Sequence, residues 1–223
     1  MTGDSIKLYS YWRSSACFRV RIALNLKGLH YETLPVHLLK DGGEQHKAGF
    51  DEINPQELIP VLSHGGRLLR QSMAIIEYLD ETFWDSGQPL LPSVARERQR
   101  ARAIAQLIAC DIHPLGNLRV LQQLESAFGA TEKQREEWAR HWMRNGLAAL
   151  EKVLADNPST GSYCEGDVPS MADCCLVPQA YNATRFGIAL TDYPNIARIN
   201  KTCLAMDEFD AARPERQPDA PAT

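Results

Sequence analysis

The stretch that decides the fold is Ser14-Ser15-Ala16-Cys17-Phe18-Arg19-Val20-Arg21-Ile22-Ala23-Leu24. Just before it, Ile6-Lys7-Leu8-Tyr9-Ser10-Tyr11 alternates apolar and polar side chains, the period of a half-buried strand, and Trp12-Arg13 makes the turn. Ser14 or Ser15 stands at the N-cap of a helix that Gly28 closes as its C′ residue. Cys17, Val20 and Leu24 form one apolar stripe and Phe18, Ile22 and Leu26 another. The helix is therefore expected to be buried on two sides, with Arg19, Arg21 and Lys27 reaching solvent. A strand feeding a capped helix leaves N–H groups pointing outward beside a hydroxyl, a place that stabilises anions, a thiolate among them. Taken alone, the unit is also what any ordinary capped helix looks like.

Outward from this unit, Tyr31-Glu32-Thr33-Leu34-Pro35-Val36 reads as a second strand, parallel to the first across a βαβ crossover. Residues 39–50, polar and holding Gly42-Gly43, predict a mobile segment with a short helix. Ile59-Pro60 opens the apolar run Val61-Leu62; read alone, that proline is a trans residue at the start of a strand. Val61-Leu62 and Leu68-Leu69 flank a hairpin turn at Gly65-Gly66. Gln71-Ser72 precedes Met73-Ala74-Ile75-Ile76, with Ser72 expected to cap the helix. Residues 85–92, with a glycine and two prolines, form a linker, after which strand signals stop.

Beyond the linker, apolar residues from Ile104 to Leu121 recur every three or four positions and predict a long helix that Pro114 kinks near His113. A second helix runs from Thr131, its cap, to Leu154. Ser170 and Asp173 form a capping box, a structural device that leaves Asp173 without a catalytic part. Residues 213–223 hold three prolines and no apolar pattern, and are expected to be a flexible tail.

Composition narrows the function. Hydrophobic residues at 44% and charged ones at 23% fit a soluble globular protein. A net charge of −4 offers no attraction to nucleic acid or anionic membrane, and the arginines at 96, 98, 100 and 102 read as a solvated face. The six cysteines show no Cys-x-x-Cys spacing, so neither a metal site nor a dithiol centre is expected. Cys17 falls in the Val20 and Leu24 stripe and reads as core. With no membrane-length apolar run and no signal-peptide core, the expected setting is a cytoplasm with reduced thiols.

Tyr9-Ser10-Tyr11-Trp12-Arg13-Ser14-Ser15, followed by Arg19-Val20-Arg21-Ile22-Ala23-Leu24, resembles the signature of zeta-class glutathione transferases. One departure stands out: the family form has a cysteine directly after the serine pair, where this chain has Ala16, with Cys17 one position later. The resemblance implies an α/β thioredoxin-like glutathione-binding domain over residues 1–87 and an all-α substrate domain over residues 93–212, the glutathione transferase architecture. It also implies a cis Ile59-Pro60 bond whose isoleucine presents its backbone to glutathione, and a Gln71-Ser72 pair that takes the γ-glutamyl end. Homodimerisation follows from the resemblance alone.

The implied chemistry is cis–trans isomerisation with glutathione returned unchanged: a thiolate adds reversibly to a double bond conjugated with a carbonyl. Ser14 and Ser15, at the helix start, favour the thiolate over a free thiol with a pKa of about 8.5. Cations beside the substrate's carbonyl and carboxylates lower the barrier, and arginine grips a carboxylate with two parallel bonds. By resemblance Arg185 meets a substrate carboxylate and His113 and Arg119 line the pocket, while Arg13, in the turn before the serines, is a further candidate cation for catalysis and substrate binding. The expected substrate is the small diacid maleylacetoacetate. Maleylpyruvate is the close alternative, followed by transfer or dehalogenation of α-halo acids, then by a non-catalytic binding module.

Overall fold

The computed structural model describes residues 5–221. The chain forms two compact units: one from the segment ending at Leu91 together with the segment beginning at Ala205, the other from Pro92 to Leu204.

In the first unit, β1 (Ile6–Ser10), β2 (Tyr31–Pro35), β3 (Val61–His64) and β4 (Arg67–Arg70) make a sheet of order β2-β1-β3-β4. β1 and β2 are parallel, with Leu8 opposite Thr33, as a strand–helix–strand crossover requires. β3 runs antiparallel to both β1 and β4, Leu8 opposite Leu62 and Leu62 opposite Leu69. Helix α1 (Ser15–Leu26) supplies the crossover and packs against α3 (Ser72–Thr82); Leu8, Val20, Leu24, Leu62, Ile75, Ile76 and Leu79 are fully buried between these layers. Gly28, at φ +65°, ends α1 in the left-handed conformation that glycine adopts without strain. Residues 39–50 hold two short 3₁₀ turns ahead of α2 (Phe50–Ile53).

Three expectations about this unit are corrected. Arg19, Arg21 and Lys27 are buried, at 3%, 0% and 1% exposure. A buried cation needs partners, and each has at least one far along the chain. Arg21 donates from Nε to the Ala212 carbonyl at 3.0 Å and from Nη2 to the Trp12 carbonyl at 3.0 Å, and Lys27 meets Asp80 at 3.4 Å. Secondly, Ser72 is the first residue of α3 and not its cap; Gln71, at φ +69°, holds the N-cap position without a side-chain capping bond. Thirdly, the expected tail is folded as far as it is described. After α9 (Asp207–Ala211), Pro214 and Gln217 are buried, Gln217 Nε2 donates to the carbonyls of Ala211 and Arg213, and Asp219 Oδ2 accepts the Trp12 N–H at 2.8 Å. Ala222 and Thr223 lie outside the described residues.

The second unit is helical. The anticipated long helix is broken in the structure: α4 (Ala95–Gln106) passes into a π-helical stretch, Leu107–Ile112, then a 3₁₀ turn, His113–Gly116. Pro114 has no N–H to give the ladder and its ring crowds the preceding turn, which favours a break here. Asn117 restarts the helix as N-cap of α5 (Leu118–Phe128), accepting the Arg119 N–H at 3.3 Å. α6 (Glu132–Ala155) begins with a Thr131–Gln134 capping box. α7 (Met171–Arg185) begins with the Ser170–Asp173 box, and α8 (Pro194–Leu204) follows it. Asp173, wholly buried, accepts N–H groups from Ser170 at 2.8 Å and Cys164 at 2.9 Å. Burial pushes its carboxyl above the usual range while these bonds pull it down, the balance of a structural capping group. Arg100 departs from the solvated face assigned to it: it donates to the Cys164 carbonyl at 2.6 Å and to Thr160 Oγ1 at 2.7 Å, and pairs with Glu165.

Candidate functional site

The first unit gathers seven of the anticipated site residues: Arg13, Ser14, Ser15, Ile59, Pro60, Gln71 and Ser72. Ser14 is the N-cap of α1: its backbone is extended (φ −70°, ψ 118°) and its Oγ accepts the Cys17 N–H at 3.3 Å. That bond uses a lone pair on the hydroxyl, which has one proton to donate. The N–H groups of the first helical turn point the same way, and the helix dipole adds partial positive charge there. Ser15 is buried in that turn, and Arg13 sits with its guanidinium carbon 5.3 Å from the Trp12 ring centre.

The Ile59-Pro60 peptide bond is cis. Ile59 belongs to a buried cluster with Tyr11, Cys17, Val36 and Phe50, so the proline loop packs against the residues that flank Ser14 and Ser15. Asn54 fixes the approach to this loop: its amide donates to the Leu58 carbonyl at 2.7 Å and its oxygen accepts the Gln56 N–H at 3.1 Å. Gln71 is exposed, and its Nε2 donates to Gln56 Oε1 at 2.7 Å. A glutamine at positive φ is sparsely populated backbone, the kind of strain that concentrates at ligand sites. Ser72, nearly buried, accepts a hydrogen bond from Arg19 Nη1 at 3.2 Å. This bond joins α1, which begins beside Ser14, to the start of α3.

Cys17 is core: it is fully buried, and burial pushes its thiol up despite the nearby Arg21 cation and the Ser14 hydroxyl. At Cys17, burial outweighs the groups near the start of α1 that favour an anion, so this thiol is not the anion that they hold.

The second unit carries the remaining three. Arg185 ends α7; its Nε and Nη2 both donate to Asn182 Oδ1, at 3.2 and 2.8 Å, and its guanidinium carbon lies 4.6 Å from the Phe186 ring centre. One side chain thus sets the plane of the fork and another supports its face. His113 opens the 3₁₀ turn, and Arg119, exposed, lies in the first turn of α5. Among the described residues no three His, Cys, Asp or Glu side chains gather as a metal site, and no helix is long and apolar enough to cross a membrane.

Sequence reading passed over two residues. Arg19 was assigned to solvent, although it lies one turn after Ser15, on the helix face that carries the serine. Asn182, nearly buried three residues before Arg185, carried the same helical-spacing signal.

Residues 13–82 match the family described as glutathione S-transferase, N-terminal domain. Over 216 residues the chain is 49% identical to the probable maleylacetoacetate isomerase of Vibrio cholerae, covering 97% of this chain and 99% of that one. Among solved structures, a holo maleylpyruvate isomerase, described as a bacterial glutathione S-transferase of the zeta class, superposes with a TM-score of 0.92. It is 46% identical, covering 96% of this chain and all (100%) of that one. The maleylacetoacetate isomerase of Methylobacterium extorquens AM1, with bound malonate and glutathione, gives 0.93 at 46% identity, covering 97% of this chain and 100% of that one. With identity of this order running the length of both units, the chain belongs to the zeta class of glutathione S-transferases.

Proposed function

We propose that this protein is a glutathione-dependent cis–trans isomerase whose substrate is maleylacetoacetate. The observation that carries the reading is the Ser14-capped start of α1 packed against a cis-proline loop, in a chain 49% identical over its length to a probable maleylacetoacetate isomerase. The residues present suit glutathione: a hydroxyl and helix N-terminus for a thiolate, a backbone edge at Ile59 for the cysteinyl amide, and Gln71 with Ser72 for the γ-glutamyl ammonium and carboxylate. When bound, glutathione supplies a soft nucleophile that adds reversibly to an activated double bond and so permits rotation about it.

The protein's own part is positional and electrostatic. Ser14 donates its hydroxyl proton toward the sulfur, and the α1 N-terminus lowers the cost of the negative charge there. Ser15 supports that turn from its buried position. Arg185, its fork oriented by Asn182, takes a substrate carboxylate, and Arg13, His113 and Arg119 supply further positive charge and donors as charge builds on the carbonyl side. The same reading carries a homodimer and a cytoplasmic setting, the first tested by sedimentation of the purified protein.

Maleylpyruvate is the second reading, favoured by the near-equal likeness to a maleylpyruvate isomerase structure. The test is ultraviolet monitoring of freshly prepared maleylacetoacetate and maleylpyruvate, with and without glutathione. Glutathione-dependent conversion is expected, faster for maleylacetoacetate. A faster maleylpyruvate reaction would reassign the substrate. Conversion of neither, with glutathione binding intact, would overturn the isomerase reading and point to α-halo acids.

A further inference from the structure

Arg19 lies at 3% exposure on the inner side of α1, and its Nη1 reaches Ser72 Oγ, 53 residues away in sequence, at 3.2 Å. A serine hydroxyl has one proton and two lone pairs. Because a guanidinium only donates, this contact occupies a lone pair of Ser72 and turns the hydroxyl proton away from Arg19. Ser72 is thereby committed as a donor at the first position of α3, where the helix's own N–H groups also face outward. A cationic donor on the oxygen also polarises the O–H bond and strengthens the bond it gives.

From this geometry we infer that Arg19 is a positioning residue for the γ-glutamyl carboxylate: acting through Ser72, it orients the hydroxyl and places a buried positive charge behind it. The inference rests on the proposed reading in which Ser72 takes that carboxylate. It also gives α1 two tasks, since the helix whose first turn faces the sulfur sends Arg19 to the opposite end of the same ligand. Arg19 touches neither sulfur nor substrate, so its effect falls on glutathione affinity and not on the chemical step.

The test pairs variants with ligands. Arg19→Gln, Arg19→Lys, Ser72→Ala and the Arg19→Gln/Ser72→Ala double variant are titrated calorimetrically with glutathione and with 4-aminobutyryl-cysteinylglycine, which lacks only the α-carboxylate of the γ-glutamyl group. Arg19→Gln and Ser72→Ala are each expected to weaken glutathione about tenfold, the scale of one charge-assisted hydrogen bond. Neither should weaken the truncated ligand more than about twofold, and the double variant should lose little beyond the worse single one, as residues acting as a unit do. Arg19→Lys, which restores the charge, should recover part of the affinity, and in Arg19→Gln and Arg19→Lys the loss should fall on the KM for glutathione and not on the turnover number at saturating glutathione. Equal loss for both ligands in Arg19→Gln would mean that Arg19 merely holds the fold together, and would overturn the inference. A carboxylate-specific loss in Ser72→Ala with none in Arg19→Gln would overturn it while sparing the reading of Ser72. No loss in Ser72→Ala would overturn the reading of Ser72 itself.

Discussion

Single residues carry the chemistry through what they have left to offer after folding. Ser14 Oγ is half used, accepting from Cys17 N–H, and keeps a proton to give. Arg185 is held by Asn182 along one edge of its fork. Arg185→Ala should lower kcat/KM for the diacid by roughly ten- to a hundredfold, the worth of one or two charge-assisted bonds, with glutathione affinity unchanged. Asn182→Ala should move kcat/KM the same way by less. Initial-rate kinetics with varied substrate checks both, and a fall in glutathione affinity instead would remove Arg185 from the substrate's side. The cysteines give a sharper contrast. Five of the six are buried and Cys110 is exposed, so one thiol should react with an aromatic disulfide reagent in the native protein and six after denaturation. The sign for Cys17 follows from burial: its pKa is raised, so it stays protonated through neutral pH and adds no ionisation to the rate profile. Cys17→Ala should therefore leave the pH dependence of kcat/KM in place; loss of a titration would restore Cys17 to the chemistry.

Elements show where local sequence suffices and where it does not. β1 and α1 were legible because their signals are local: alternation over Ile6–Ser10, a serine cap, and Gly28 at the close. The Thr131 and Ser170 boxes were legible for the same reason, and Ser170→Ala should cost about 1 kcal/mol in a denaturant melt. The burial of Arg19, Arg21 and Lys27 was not legible, because their partners Ser72, Ala212 and Asp80 lie 53, 191 and 53 residues away. The α3 start was misread by one residue because a positive φ at a glutamine has no sequence signal. The break after Gln106 was half legible: Pro114 announced it, while the π-helical stretch depends on packing. There, Gly146 of α6 lets Ile112 come so close that an added Cβ would lie 2.4 Å from Ile112 Cγ1. Alanine normally favours a helix over glycine by about 1 kcal/mol. At this position the clash wins, and Gly146→Ala should destabilise the protein by about 1–3 kcal/mol and disturb neighbouring His113. An increase in denaturation midpoint would refute that.

At the scale of the molecule, composition and the order of motifs made the two-unit plan readable, including a sheet followed by helices. What they missed is that the chain comes back. Residues from Ala205 onward belong to the first unit, where Ala212 and Asp219 bond to Arg21 and Trp12 on either side of the turn that leads to Ser14. Three prolines suggested a loose end, but a few long-range bonds outweigh composition. Ending the chain at Ala212 removes Asp219 and the buried Pro214 and Gln217, and should lower the thermal midpoint and weaken glutathione, measured by melting and calorimetry. Unchanged values would mean that this segment only lies on the surface.

The central claim is that Ser14 and the start of α1 hold the sulfur of glutathione as a thiolate. The most direct measurement is an ultraviolet titration of thiolate absorbance in the protein–glutathione complex, for the native chain and for Ser14→Ala. The account predicts an apparent pKa below the roughly 8.5 of a free thiol in the native complex, and an upward shift in Ser14→Ala at full glutathione occupancy. A native complex that titrates like free glutathione, or a Ser14→Ala complex that titrates like the native one, would contradict it.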